Sequence, residues 1–91
     1  MKVWPNLDQD EYLDFVIDWS PRLGTDTILS SSWLTPSPNS ITMATFDHTD
    51  TTTTVWLQGG VEGEKYVFVN RIVTAAGRIH DQSVRLKVKT K

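Results

Sequence analysis

From Glu11 to Trp19 the chain reads EYLDFVIDW, with Leu13, Phe15, Ile17 and Trp19 on one parity and Asp14 and Asp18 on the other. A period of two predicts a strand with one dry face and one wet face, and Pro21 and Gly24 end it. Thr27 to Leu34 (TILSSSWL) reads as a second strand, stopped where Pro36 and Pro38 forbid a continuing ladder. Ile41 to Phe46 is a third, closed by the turn-like Asp47-His48-Thr49-Asp50. Thr52 to Gln58 is a fourth and runs into Gly59-Gly60. Lys65 to Thr74 (KYVFVNRIVT), dense in β-branched and aromatic residues, is the clearest. After Ala75-Ala76-Gly77, a hairpin connection with a left-handed glycine, a last strand from Arg78 to Lys89 alternates Val84, Leu86 and Val88 with Ser83, Arg85, Lys87 and Lys89.

Six such segments, with Val3-Trp4 as a candidate seventh, predict an antiparallel sandwich or small barrel. No segment longer than eight residues shows a helical period; one turn of helix is open at Leu7 to Tyr12. The expected organisation is an N-terminal arm over 1–10 and one β domain over 11–91.

Composition agrees with the pattern. Twelve Thr and seven Ser accompany four Trp, while the residues that populate helices are sparse. Ninety-one residues suffice for one core, and the absence of cysteine excludes disulfides, thiolate metal sites and cysteine nucleophiles. No apolar run approaches the ~20 residues of a membrane-spanning helix. Met1-Lys2-Val3-Trp4-Pro5 lacks the apolar stretch of a secretory signal, so synthesis in the cytoplasm is expected.

The net charge of −2 gives no reason to expect nucleic acid as a partner, but it conceals an asymmetry. Residues 1–50 carry a net −6 and residues 51–91 a net +4. The two halves can attract each other within one fold or between neighbouring copies.

Candidate chemistry is thin. The acids Asp8, Asp10, Glu11, Asp14 and Asp18 lack the turn glycine of a calcium loop, and His48 and His80 stand too far apart for a local zinc motif. No Gly-x-Ser-x-Gly elbow supports the serines, and the acids after Gly59-Gly60 would repel phosphate. The expectation is a non-enzymatic protein with no metal and no cofactor.

Large apolar side chains are the better lead. Trp19 shares its face with Leu13, Phe15 and Ile17 and reads as a core anchor. Trp56 falls opposite Val55 and Leu57, on the parity of Thr52 and Thr54, which leaves it open between core and interface. Trp4 can tuck into its own domain or a neighbour, and Trp33 is likewise open. Val67, Val69 and Val73, with Arg71, form the second apolar face of their strand, to be covered by a loop or by another subunit. Arg85, Lys87, Lys89 and Lys91 line one edge with Arg78, to guard it against unwanted pairing or to dock an acidic partner.

Two resemblances sharpen this reading. Gly63-Glu64-Lys65-Tyr66-Val67-Phe68 resembles the turn and penultimate strand of immunoglobulin-like domains, with Tyr66 at the position whose hydroxyl bonds back across the corner. Ala76-Gly77-Arg78 resembles the hairpin tip, and Trp33 falls near the buried Trp of that pattern. The fold this implies is a cysteine-free immunoglobulin-like antiparallel sandwich of six to seven strands. More of the chain is covered by a second likeness. Asp18 to Ile28 (DWSPRLGTDTI), Ser31-Ser32-Trp33, Thr53 to Gly60 (TTVWLQGG) and Asn70 to Arg78 (NRIVTAAGR) resemble small virion proteins of tailed bacteriophages, of the fibre-tail adaptor type. That resemblance implies a structural component of the virion, made in the host cytoplasm. Its partners would be fibre, tail or head-tail connector proteins and further copies of itself, with no membrane involved. A head-decoration protein and a carbohydrate-binding module are the alternatives. Within this picture Trp4, Trp56, Val67, Val69 and Val73 would supply apolar contact, and Arg71, Arg85, Lys87 and Lys89 would meet acidic surfaces.

Overall fold

The computed structural model describes residues 2–90; Lys91, the last of the basic series, lies outside the described residues. Its elements are β1 (Lys2–Val3), β2 (Tyr12–Asp18), α1 (Ser20–Leu23), β3 (Ile28–Trp33), β4 (Ile41–His48), β5 (Thr52–Gly59), β6 (Lys65–Thr74) and β7 (Ile79–Lys87). They form two sheets, ordered β1-β7-β6-β3 and β2-β5-β4. The ladders are antiparallel except for β1, which runs parallel to β7.

Alternation decides what each sheet buries. In β6 Tyr66, Phe68, Asn70, Ile72 and Thr74 point inward, while Lys65, Val67, Val69, Arg71 and Val73 point outward. In β5 Thr53, Val55 and Leu57 are inward and Trp56 lies on the other face. The inward sets, with Phe15, Ile17, Trp19, Val84 and Leu86, make one apolar core between the sheets.

Turn chemistry follows the glycines at two places. Gly77, at φ +85°, lies in the four-residue β6–β7 connection, which is tied by the Thr74 amide donating to the Arg78 carbonyl at 2.8 Å. Gly60, at φ +90°, sits so close to the core that a Cβ would lie 2.7 Å from Val88 Cγ2. The Val61 amide beside it donates to the Tyr66 hydroxyl at 2.8 Å, and Tyr66 shares a second 2.8 Å hydrogen bond with Ser40.

The core also holds a polar knot. Asn70 is fully buried yet uses all four of its hydrogen-bonding positions. Its Oδ1 accepts from Trp19 Nε1 at 3.0 Å and from the Thr53 hydroxyl at 2.7 Å. Its Nδ2 donates to Ser31 Oγ and to the Ser32 carbonyl, each at 2.9 Å. Thr53 Oγ1 in turn accepts from Trp19 Nε1 at 3.1 Å. One side chain thus ties β6 to β5, to β3 and to the end of β2.

Several expectations change. In segment 2–10 Trp4, left open by the sequence between its own domain and a neighbour, is buried with Leu7, and the backbone follows β7, with Trp4 and Leu7 amides donating to Arg85 and Lys87 carbonyls. Trp4 packs against Phe15, Trp33 and Phe68 at centroid distances of 5.1, 5.8 and 5.7 Å. Its indole N–H donates to the Val16 carbonyl at 3.3 Å, joining the β1 side of one sheet to β2 of the other. Trp33 is buried too, and its Nε1 has no acceptor among the described residues. The helical turn considered at Leu7–Tyr12 is instead a tight turn, in which Asp8 N–H donates to Glu11 Oε1 and Glu11 N–H to the Asp8 carbonyl. The one-turn helix forms at Ser20–Leu23, where Pro21 occupies a first-turn position that needs no amide donor. Asp47 and His48 extend β4 rather than ending it, and β7 is shorter than the Arg78–Lys89 expected.

Candidate docking surfaces

Among the described residues there is no surface pocket and no group of three or more metal-ligating side chains. The extended surfaces of the domain are its two outward sheet faces, which the alternation above defines.

On the four-stranded sheet, register brings the outward residues of β6 and β7 side by side: Lys65 with Lys87, Val67 with Arg85, Val69 with Ser83, Arg71 with Asp81 and Val73 with Ile79. Val3 extends the Val67–Arg85 row across β1. Val67, Val69 and Val73 are half-buried between these neighbours, while Val3 and Ile79 are well exposed. The strands of this sheet carry Lys2, Lys65, Arg71, Arg85 and Lys87 and a single acid, Asp81. That acid is already used. Arg71 grips it bidentately, Nε to Oδ1 at 2.8 Å and Nη2 to Oδ2 at 3.0 Å. The hydrogen bond from Arg71 is the main cause that holds the Asp81 carboxyl below the usual aspartate range. Lys65, Arg85 and Lys87 belong to neither ion pair found among the described residues.

The three-stranded sheet has the opposite character. Its strands contain Asp14, Asp18 and Asp47 and no lysine or arginine. Trp56, in register with Asp14 on one side and Thr45 on the other, is half-buried on the outer face. Tyr12 stacks on it with ring centroids 5.2 Å apart and planes 29° from parallel. Val16, two positions further along the same face, is exposed. Asp18 accepts a hydrogen bond from the Ser20 amide at 3.0 Å, the leading cause that lowers its pKa.

These placements sort the residues nominated from sequence. Val67, Val69, Val73, Arg71, Arg85 and Lys87 do share one face, and Lys89 follows on beside them, its amide donating to the Leu7 carbonyl. Trp56 lies on the other sheet, so the nominated set divides between two faces. Trp4 belongs to neither, because it is only 5% exposed inside its own core. Sequence reasoning missed Tyr12, Val16, Val3 and Ile79 as surface groups. For Tyr12 and Val16 a signal existed: both share the parity of Asp14 and Asp18, the wet face of their strand.

Fold and surface together define the class: a small two-sheet β domain whose outstanding features are extended faces of opposite charge, each carrying exposed apolar side chains. Residues 8–87 match the model of a specific family, the podophage GP4 fiber-tail adaptor protein gp77, and the chain belongs to that family. A search of curated proteins found no match to the chain.

Proposed function

We propose that this protein is a non-enzymatic structural component of a tailed-phage virion that connects a fibre to the tail or to the head-tail junction. The observation that carries the reading is the family match over residues 8–87. The structure is compatible with a docking role, since both outer sheet faces carry charged side chains together with exposed apolar ones. The same match does not favour the head-decoration alternative. Fibre and tail proteins are the partners this implies. No described helix is long and apolar enough to cross a membrane.

The sandwich itself is best read as immunoglobulin-like. With the seven strands taken as A to G, β7, β6 and β3 reproduce the G-F-C sheet, and β2, β5 and β4 the B-E-D sheet. The first strand has moved to the edge of β7. Tyr66, at the start of the sixth strand with its hydroxyl accepting from Val61 N–H, matches the tyrosine corner of such folds.

Quantitative densitometry of purified virions, with pull-down of tail and fibre proteins from dissociated particles, tests the adaptor reading. The chain should be present in proportion to fibre protein and co-purify with it. Absence from virions, or abundance in proportion to the capsid protein, would refute the proposal.

A further inference from the structure

The charge asymmetry of the sequence becomes a spatial one in the fold. Every lysine and arginine that lies in a strand belongs to β1-β7-β6-β3, and the strands of β2-β5-β4 hold three aspartates and no lysine or arginine. The two outer faces look away from each other across the core, so they cannot neutralise each other within one molecule. We propose that the basic face of one copy docks onto the acidic, aromatic face of a second copy of this chain.

Three observations support that occupant. First, Lys65 and Lys87 are direct cross-strand neighbours, with Arg85 next along the same face. Like charges opposite each other destabilise a sheet, and an acidic surface laid over them removes that cost. Asp14, which belongs to neither ion pair found among the described residues, stands beside Trp56 on the complementary face. Second, both faces mix charge with apolar anchors: Val3, Val67 and Val69 on one, Tyr12, Val16 and Trp56 on the other. Desolvated aromatic and aliphatic groups supply affinity while the charges around them fix orientation. Third, the dimensions suffice. The molecule extends 41 × 19 × 19 Å, so one broad side offers roughly 780 Å² of projected area. A standard interface takes about 800 Å² from each partner.

The arrangement also fixes the symmetry. A two-fold dimer through either face would set like charge against like, so the contact must be heterologous, basic face to acidic face. The pair then retains one free face of each kind, and association continues until a ring closes or a partner caps it. This inference does not rest on which protein the adaptor attaches, and its failure would leave the virion experiment above unaffected.

Sedimentation and light scattering on the full chain test it. Self-association should grow with concentration and weaken as sodium chloride is raised, because partly exposed charges are screened. Two double variants, each expected to fold because its substitutions lie on outer faces, remove one face at a time. Arg85→Ser with Lys87→Ser disables the basic face, and Asp14→Ser with Trp56→Ser disables the acidic one. Each alone should associate at least ~10-fold more weakly than the parent. Mixed in equal amounts, they should form one-to-one dimers and nothing larger, because only one good face of each kind remains. Should either pair impair folding, shown by circular dichroism, Lys65→Ser or Val16→Ser replaces it. A parent chain that stays monomeric at millimolar concentration and low salt would overturn the proposal. So would association indifferent to both variants, or a mixture with no heterodimer.

Discussion

Replacing Asn70 by leucine probes the polar knot with little change of volume. Leucine can make none of the four hydrogen bonds that Asn70 makes. Trp19 Nε1 keeps only Thr53 Oγ1 as acceptor, and the Thr53 hydroxyl keeps no acceptor in the knot. Ser31 is only half-buried, so its hydroxyl can turn to water. The buried Thr53 hydroxyl is therefore stranded at ~1–3 kcal/mol, and the Trp19 N–H and the Ser32 carbonyl each lose one hydrogen bond at ~0.5–1.5 kcal/mol. Burial of the leucine side chain returns ~1–2 kcal/mol, leaving a net loss of about 2 kcal/mol. For a domain of this size that lowers the melting temperature by roughly 8–16 °C.

Urea unfolding followed by tryptophan fluorescence measures the loss, and a double-mutant cycle with Thr53→Val isolates its origin. Valine has no hydroxyl to strand, so the double variant should lose less than the two singles combined. The expected coupling is ~0.5–3 kcal/mol. A loss below ~0.5 kcal/mol for Asn70→Leu, or strict additivity in the cycle, would refute the claim that the knot contributes as a connected unit.

Trp4→Ala should cost about 3–5 kcal/mol by chemical denaturation, since the indole fills space between Phe15, Trp33 and Phe68; a loss under 1 kcal/mol would mean that 2–10 is dispensable to the core. Gly60→Ala should destabilise by ~1–3 kcal/mol and more than Gly63→Ala: both positions have positive φ, but only at Gly60 would the added Cβ meet a neighbour, Val88. Asp26, whose carboxylate is nearly buried and is reached by the Thr74 hydroxyl, the Thr27 and Ala76 amides and Arg78, is held below the ordinary 3.8, with the Thr74 bond as the leading cause. Its stabilisation is present above that value and lost as pH falls through the lower folded-state value, so Asp26→Asn should lower stability at neutral pH and shrink the acid-side loss in a thermal-melt series.

Much of this architecture can be read directly from parity. Phe15, Ile17 and Trp19 were assigned to the core by period two, and the β6 boundaries Lys65 and Thr74 agree with the structure. What escaped depends on contacts between distant residues. Trp4 sits in a short segment with no period of its own, and only the parallel pairing with β7 carries it inward. Asn70 looks like a polar defect in an apolar strand until Trp19, Thr53, Ser31 and the Ser32 carbonyl are brought around it. The division of the nominated surface residues between two faces depends on which strands share a sheet, a matter of topology that alternation within a strand leaves open.

The buried knot and the charged faces are connected by register. Side chains alternate with a period of two, so a slip of one residue in β6 would turn Lys65, Val67, Val69 and Arg71 inward and expose Tyr66, Phe68 and Ile72. Burying the charges of Lys65 and Arg71 and exposing two aromatic rings already opposes such a slip. Asn70 adds to that resistance. Its four partners come from β5, β3 and the end of β2, and they meet it only when β6 is aligned as observed. A buried polar group satisfied in one register and stranded in the next discriminates between them by several hydrogen bonds. The segregation of bases onto one face and acids onto the other therefore depends on a neutral side chain buried between the sheets.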